Sequence, residues 1–125
     1  WRGSVKRLGQ KMINKIIELG GKKENIMVSI GPSIGQCCYN VEDERYYQFV
    51  EEFDGYADKI FHRHQGKLQL NLALLNYLQV KELGVPEKNI DHFPFCTRCD
   101  KKHFFSFRRD KKQDYGEMLS FIVKT

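Results

Sequence analysis

Four cysteines in two short pairs are the residues of this 125-residue chain whose chemistry is easiest to name. Cys37 and Cys38 are adjacent, and Cys96 and Cys99 have the C-x-x-C spacing. Four thiolates can bind zinc, but zinc sites normally use spaced ligands, because adjacent residues do not easily point both side chains at one ion. A thioredoxin-like redox pair would follow the first strand of a βαβ unit, and this C-x-x-C does not. Neither site is therefore favoured.

The segment FFSFRRD, residues 104–110, contains the strongest polar cluster in the chain. A guanidinium group matches the geometry of phosphate or carboxylate, and each charge-assisted hydrogen bond contributes about 1.5 to 3 kcal/mol. If the segment is a strand, the side chains of Arg108 and Arg109 point to opposite faces, so only one of them reaches a given pocket. The alternative is a solvent-exposed strand end, in which Asp110 neutralises one of the arginines.

The four histidines give a weaker signal. His62 and His64 would lie on one side of a strand, where two imidazoles can chelate a metal ion. No third ligand occurs at a convincing spacing, so these histidines are interpreted as surface residues, and no Ser/His/Asp arrangement is evident.

The composition favours a single domain that binds a small anion. The net charge is +5, and the basic residues are spread along the chain except for one concentration at 101–112. This pattern fits phosphate better than nucleic acid, since no reading helix or RNA-binding aromatic pattern accompanies the charge. No apolar run of about 18 residues is present, so no membrane association is expected. The cysteines, without a secretory signal, indicate reduced thiols in a cytoplasmic protein.

Hydrophobic periodicity predicts three helices, at about 4–19, 42–53 and 70–83, with the segment 58–65 left as a short strand or a loop. Two buried strands are predicted at about 26–30 and 90–95. The stretch after the first of them is broken by Gly31, Pro32 and Gly35, which form a bend at the rim of a sheet.

The last part of the chain predicts a closing β-hairpin, with Phe105 and Phe107 in one strand and 118–123 in the other. Helices that alternate with strands before a final hairpin indicate an α+β domain with helices packed on a sheet.

Five short motifs occur along essentially the whole chain: WRG at 1–3, GPSIG at 31–35, CCY at 37–39, CT at 96–97 and FFSFRRD at 104–110. In this order and approximate spacing they resemble the motifs of the bacterial laccase-domain family, which is also called the multicopper polyphenol oxidase or peptidoglycan editing factor family. Mammalian relatives of this family are purine-nucleoside enzymes.

The resemblance implies an α+β fold, a layered sandwich of mixed sheets flanked by helices, of which residues 1–125 form the C-terminal part. It also implies a zinc or, alternatively, copper site made by two histidines and one cysteine. All three ligands would lie upstream of Trp1, so this chain is expected to contain no metal ligand and no catalytic residue. Cys37 and Cys38 are accordingly expected to pack as small apolar groups.

The resemblance further implies site residues within the chain. The expected contacts to phosphate or substrate are Arg2, Arg108 and Arg109, and the residues expected to shape the site are Gly31, Pro32 and Gly35.

Three positions depart from the family pattern. Asn71 stands where relatives often have aspartate, Glu117 where they often have arginine, and Phe107 lacks the hydroxyl of the tyrosine that is usual there.

The activity implied for the full-length parent is metal-dependent phosphorolysis of adenosine or inosine, with adenosine deamination as a further reaction. Its partners would be a purine nucleoside and phosphate. The alternatives are a copper-dependent, laccase-like oxidation of phenols and, if the polypeptide truly begins at Trp1, a non-catalytic module. The oligomeric state is not predicted.

Overall fold

Five α-helices account for most of the regular structure in a computed structural model that describes residues 1–114 and 116–123. Their bounds are α1 Arg2–Val5, α2 Leu8–Glu18, α3 Asp43–Glu52, α4 Ala57–Ile60 and α5 Leu72–Glu82. Among the described residues, no helix is long and apolar enough to cross a membrane.

The predicted helix at 4–19 is wrong in one respect, because it is divided at Arg7. This residue has a left-handed backbone, with φ of 53°. Its side chain leaves the helix axis to bind the end of α3, where Nε donates to Glu52 Oε1 at 2.7 Å and Nη2 donates to the Glu52 carbonyl at 2.9 Å. The guanidinium also lies 4.5 Å from the centroid of the Phe53 ring. These contacts compensate for the unfavourable backbone region.

Within residues 1–114 and 116–123, five strands form two small sheets. Their bounds are β1 Val28–Ile30, β2 Asn40–Val41, β3 Phe61–His64, β4 Lys67–Leu70 and β5 Ile90–His92. Strands β1 and β5 pair in parallel, and the second sheet is antiparallel with the order β2-β4-β3. The prediction of an α+β fold with mixed sheets flanked by helices is therefore confirmed.

Strand β4 was not predicted, although its sequence has the required alternation. Leu68 and Leu70 are buried, whereas Lys67 is exposed and Gln69 is half-buried. Gln65 and Gly66 connect β3 to β4 with positive φ angles of 49° and 75°, which is the backbone of a tight hairpin turn.

Helix α5 begins after β4 with a side-chain cap. Asn71 Oδ1 accepts a hydrogen bond from the Leu74 backbone N–H at 3.0 Å. Asparagine and aspartate both cap helices well, so the departure from the family's usual aspartate keeps this interaction.

Two apolar clusters lie on either side of α5. The larger lies between helices α3 to α5 and the antiparallel sheet and contains Tyr39, Phe49, Phe53, Ile60, Phe61, Leu68, Leu70 and Leu75. The smaller lies between α2, α5 and β1 and contains Ile13, Ile26, Val80 and Val85. Because α5 packs against both clusters, it links the two sheets into one unit.

The predicted closing hairpin is not formed by the described residues. Phe107 to Arg109 lie in a turn, in which the Arg109 and Asp110 backbone N–H groups donate to the Ser106 carbonyl at 2.9 and 2.7 Å. Residues 118–123 have no strand pairing, and Tyr115, in the predicted connection, lies outside the described residues. The strand prediction failed because local hydrogen bonds fold the segment back on itself.

Candidate functional site

The parallel pairing of β1 with β5 brings two loops together at one edge of the sheet. The carboxyl ends of parallel strands meet at the same edge, so the bend after β1 lies beside the loop after β5. Ser33 fixes the contact: its backbone N–H donates to the Phe95 carbonyl at 3.3 Å, and its carbonyl accepts from the Thr97 N–H at 3.0 Å.

All four cysteine sulfurs converge where these loops meet. The Sγ atoms of Cys37, Cys38, Cys96 and Cys99 all lie within 4.8 Å of one another. A 3-10 turn at Gln36–Cys38 brings the Sγ atoms of Cys37 and Cys38 within 3.8 Å of each other. The expectation that adjacent cysteines do not easily direct both side chains to one ion is therefore wrong here. The prediction that Cys37 and Cys38 pack as apolar groups is also wrong, since Cys37 is exposed and Cys38 only half-buried.

Gly35 lies directly against this cysteine cluster. Its backbone N–H donates to Cys96 Sγ at 3.2 Å. A Cβ atom at this position would lie 3.0 Å from Cys96 Cβ and 3.3 Å from each of the Cys37 and Cys96 sulfurs. Glycine is therefore needed here for close approach, whereas an added Cβ at Gly31 would meet no atom within 4 Å.

Backbone N–H groups favour the thiolate at Cys96. Burial alone would raise the pKa of this thiol, but hydrogen bonds from the backbone of Gly35, Cys99 and Arg98 lower the pKa to about 6. Burial, followed by hydrogen bonds with the neighbouring thiols, raises the pKa of Cys37 to about 12.

An open cleft of about 660 Å³ lies next to the cluster and combines aromatic rings with guanidinium groups. Its lining includes Trp1, Arg2, Pro32, Tyr39, Phe107 and Arg108. The Arg108 guanidinium lies 5.0 Å from the Tyr39 ring centroid, and the Arg2 guanidinium lies 4.8 Å from that of Trp1. Tyr39 is buried beneath Arg108, and the Arg45 guanidinium also lies 3.2 Å from the Trp1 ring centroid, whereas the Phe107 ring is exposed. A planar base can therefore stack on Phe107, and the guanidinium groups can bind an anion.

Glu117 also lines this cleft. A carboxylate in the same cleft as Arg108 and Arg2 reduces the positive potential that an anion would meet there. This departure from the family pattern therefore lies within the candidate anion site.

The two adjacent arginines have different surroundings. Arg109 is held by backbone carbonyls: its guanidinium donates to Thr97 at 2.7 Å, Arg98 at 3.0 Å and Phe104 at 2.7 Å, and it pairs with Asp110 at 2.7 Å. Arg108 is exposed and makes one long hydrogen bond, 3.4 Å from Nη1 to the Asn40 carbonyl. The segment is a turn, so the opposite directions of adjacent side chains in a strand do not explain this difference. Of the two arginines, only Arg108 lines the cleft.

Asp110 binds both the Arg109 side chain and the backbone of the same turn. Its Oδ2 accepts from the Ser106 backbone N–H at 2.6 Å. This hydrogen bond and the Arg109 guanidinium together hold the pKa of the Asp110 carboxyl below its ordinary value.

A second open depression, of about 730 Å³, carries much of the basic concentration at 101–112. Its lining includes Lys101, Lys102, His103, Arg109 and Lys111. His103 Nδ1 lies 2.9 Å from Asp100 Oδ2, so this histidine already has a carboxylate partner.

The histidines do not form a metal site within the part of the chain that the structure describes. His62 and His64 are exposed on β3, and the only group of three or more potential ligands among these residues is the cysteine cluster. A set of two histidines and one cysteine, as the family resemblance implies, is therefore not supplied by the described residues.

Residues 1–125 match the family described as multi-copper polyphenol oxidoreductase laccase. The chain belongs to this family. Among its relatives, the chain is 34% identical to the purine nucleoside phosphorylase YlmD of Bacillus subtilis over 98% of its length, and 32% identical to the adenosine deaminase RL5 of an unknown prokaryotic organism over 87%. The chain covers only 44% and 42% of these relatives, respectively.

A solved structure supports the same membership in this laccase family. The hypothetical protein YfiH of Bacillus licheniformis superposes with a TM-score of 0.80 at 31% identity, covering 87% of this chain and 42% of that one. The family resemblance found in the sequence motifs is confirmed. The convergence of the cysteines was missed, although an even number in two close pairs was a usable signal.

Proposed function

We propose that the full-length protein containing this chain is a metal-dependent purine nucleoside phosphorylase. The observation that carries the proposal is the cleft in which Arg108 lies over Tyr39 beside Trp1 and Arg2. A purine base can stack on the exposed Phe107 ring of this cleft while phosphate binds the guanidinium groups. Similarity to YlmD of Bacillus subtilis supports this substrate class.

The proposed reaction forms a bond between a phosphate oxygen and C1′ of the ribose and breaks the bond from C1′ to the purine nitrogen. The base leaves and takes up a proton. Arg108, with Arg2 at the same cleft, would orient the phosphate and balance its charge as the reaction proceeds. Arg109 instead positions the turn that carries Arg108, through its hydrogen bonds to backbone carbonyls.

The metal of the proposed activity is zinc, or alternatively copper, and its ligands would come from the rest of the full-length protein. The described residues offer no set of two histidines and one cysteine. We therefore assign this chain one wall of the active site, shaped by Gly31, Pro32 and Gly35, and no catalytic residue.

We further propose that residues 1–125 are the C-terminal part of a single laccase-like domain. Relatives more than twice as long support this proposal. A cytoplasmic location is supported by the four unpaired cysteines, since oxidising compartments favour disulfides.

The proposal can be tested with the metal-loaded, full-length protein, inosine and phosphate. We expect phosphate-dependent release of hypoxanthine, measured by chromatography. Arg108→Ala should lower kcat/KM for phosphate by about 10- to 100-fold, because one charge-assisted contact of about 1.5 to 3 kcal/mol is lost. Arg63→Ala is the matched control, since Arg63 forms a surface ion pair with Asp43 outside the cleft.

Absence of hypoxanthine from a correctly loaded protein would refute the phosphorylase proposal. Equal kcat/KM values for wild type and Arg108→Ala would show that Arg108 does not bind phosphate. With adenosine as substrate, release of ammonia would reveal the deamination that the relative RL5 suggests.

The second candidate function is a copper-dependent oxidation of phenols, which the description of the matching family favours. Oxygen consumption with a phenolic substrate separates it from phosphorolysis, which uses no oxygen. Copper content measured on the same sample completes the comparison.

A further inference from the structure

Three of the four cysteine sulfurs are spaced like the corners of a metal-centred tetrahedron, and the fourth lies within 4.8 Å of each of them. With a Zn–S bond of about 2.3 Å, a tetrahedral site places its sulfurs about 3.8 Å apart. Cys37 Sγ lies 3.8 Å from both Cys38 Sγ and Cys99 Sγ, and Cys38 Sγ lies 3.4 Å from Cys99 Sγ. Three sulfurs therefore lie at nearly the separation that zinc requires, and Cys96 Sγ lies within 4.8 Å of each of them.

Disulfide bonding does not explain this arrangement. A disulfide joins two sulfurs at about 2.05 Å, and three pairs here lie at 3.4 to 3.8 Å instead. Apolar packing does not explain it either, because Cys37 and Cys99 are exposed. Thiols are weak hydrogen-bond donors, so contacts among them give little reason for four to gather at one point.

The surrounding backbone has the features of a supporting shell for thiolate ligands. The Gly35 N–H donates to Cys96 Sγ at 3.2 Å, and the Cys99 and Asp100 N–H groups donate to the Cys96 carbonyl at 3.1 and 3.0 Å. These bonds fix the C-x-x-C turn and orient its sulfurs, as partners of metal ligands commonly do.

We propose that Cys37, Cys38, Cys96 and Cys99 bind one zinc ion in a closed, structural site. Four thiolates fill the tetrahedral coordination and leave no position for water or substrate, so this zinc is not a catalytic metal. Its ligands differ from the two histidines and one cysteine that the family resemblance implies. The inference stands independently of the proposed phosphorylase activity.

The zinc ion would fasten the bend after β1 to the loop after β5. These loops otherwise meet through the backbone hydrogen bonds of Ser33 with Phe95 and Thr97. Ser33 and Thr97 also line the cleft, so the zinc would hold one wall of the proposed active site in place.

The decisive measurement is the zinc content per chain of the full-length protein, determined by elemental mass spectrometry. We expect Cys38→Ser and Cys99→Ser each to contain one zinc per chain fewer than the wild type, because three thiolates bind zinc much more weakly than four. His64→Ser is the matched control: it removes an exposed potential ligand on β3 and should leave the zinc content unchanged.

A second measurement applies to the folded wild type and does not depend on the variants. Differential alkylation, read by peptide mass spectrometry, should show all four cysteines protected together and exposed together when a chelator is added. Three results would overturn the proposal. They are the same zinc content in the wild type and both variants, an alkylation pattern that the chelator does not change, and a disulfide bond between any two of the four cysteines. Stoichiometric iron in place of zinc would overturn the assignment of the metal.

Discussion

Neighbouring residues of the same type have different roles in this chain, and Arg108 and Arg109 show this most clearly. Arg109 is largely buried, with 19% of its side chain exposed, and it donates to three backbone carbonyls. Arg108 is exposed at the cleft. One arginine therefore stabilises the loop, and the other is available to a ligand.

At the residue scale, we expect Arg109→Ala to lower the free energy of unfolding by about 2 to 4 kcal/mol, because several carbonyls and Asp110 lose their charged partner. Arg108→Ala should change it by less than about 1 kcal/mol, since its side chain is exposed. Urea denaturation followed by circular dichroism measures both. Similar losses for the two variants would contradict the division of roles.

Among the elements, the parallel pair β1 and β5 is the feature that brings together the two loops of the candidate site. Each strand ends in a loop that carries one pair of cysteines, and Gly35 packs so closely against Cys96 and Cys37 that an added Cβ would lie only 3.0 to 3.3 Å from them. Gly31, in the same bend, has no such constraint. The bend therefore contains one glycine required for packing and one that tolerates substitution.

We expect Gly35→Ala to lower the free energy of unfolding by about 1 to 3 kcal/mol, because its Cβ would lie 3.0 Å from Cys96 Cβ and 3.3 Å from the Cys37 and Cys96 sulfurs, so these neighbours would have to shift. Gly31→Ala should change stability by no more than about 0.5 kcal/mol. Thermal unfolding of the two variants compares them directly. If Gly35→Ala were as stable as Gly31→Ala, the close contact between bend and cluster would be wrong.

At the scale of the whole molecule, an apolar surface remains uncovered next to the smaller core cluster. A groove between α2 and the last described residues is lined by Met12, Ile16, Met27, Phe93 and Phe121, which are 44% to 81% exposed. A continuous apolar surface of this kind normally contacts another part of a protein. The chain covers 44% of its relative YlmD, so the rest of the full-length protein is the partner we expect.

We therefore expect residues 1–125, produced alone, to bind a hydrophobic dye such as ANS and to self-associate, because the groove stays open to solvent. The full-length protein should bind much less dye per mole and should not self-associate through this surface. Dye fluorescence and analytical ultracentrifugation measure the two effects. Met12→Lys should reduce dye binding by the short chain, with Lys11→Met as the reverse control on the exposed part of α2.

The class of fold, the family and two of the three predicted helices could be predicted from the residues alone. Apolar residues at helical spacing predicted α3, and a leucine-rich run ended by Gly84 and Pro86 predicted α5, because both signals lie within the segment itself. The motifs that mark the family are likewise short and local, and they were read correctly from the residues alone.

Contacts between distant parts of the chain decide which chemical groups meet. Cys37 and Cys99 are 62 residues apart, and their approach depends on the pairing of β1 with β5, which no local pattern specifies. Local hydrogen bonds to the Ser106 carbonyl fold the segment that holds Arg108 and Arg109 into a turn, against its preference for a strand. Carbonyls at 97, 98 and 104 then hold the Arg109 guanidinium away from the cleft that Arg108 lines.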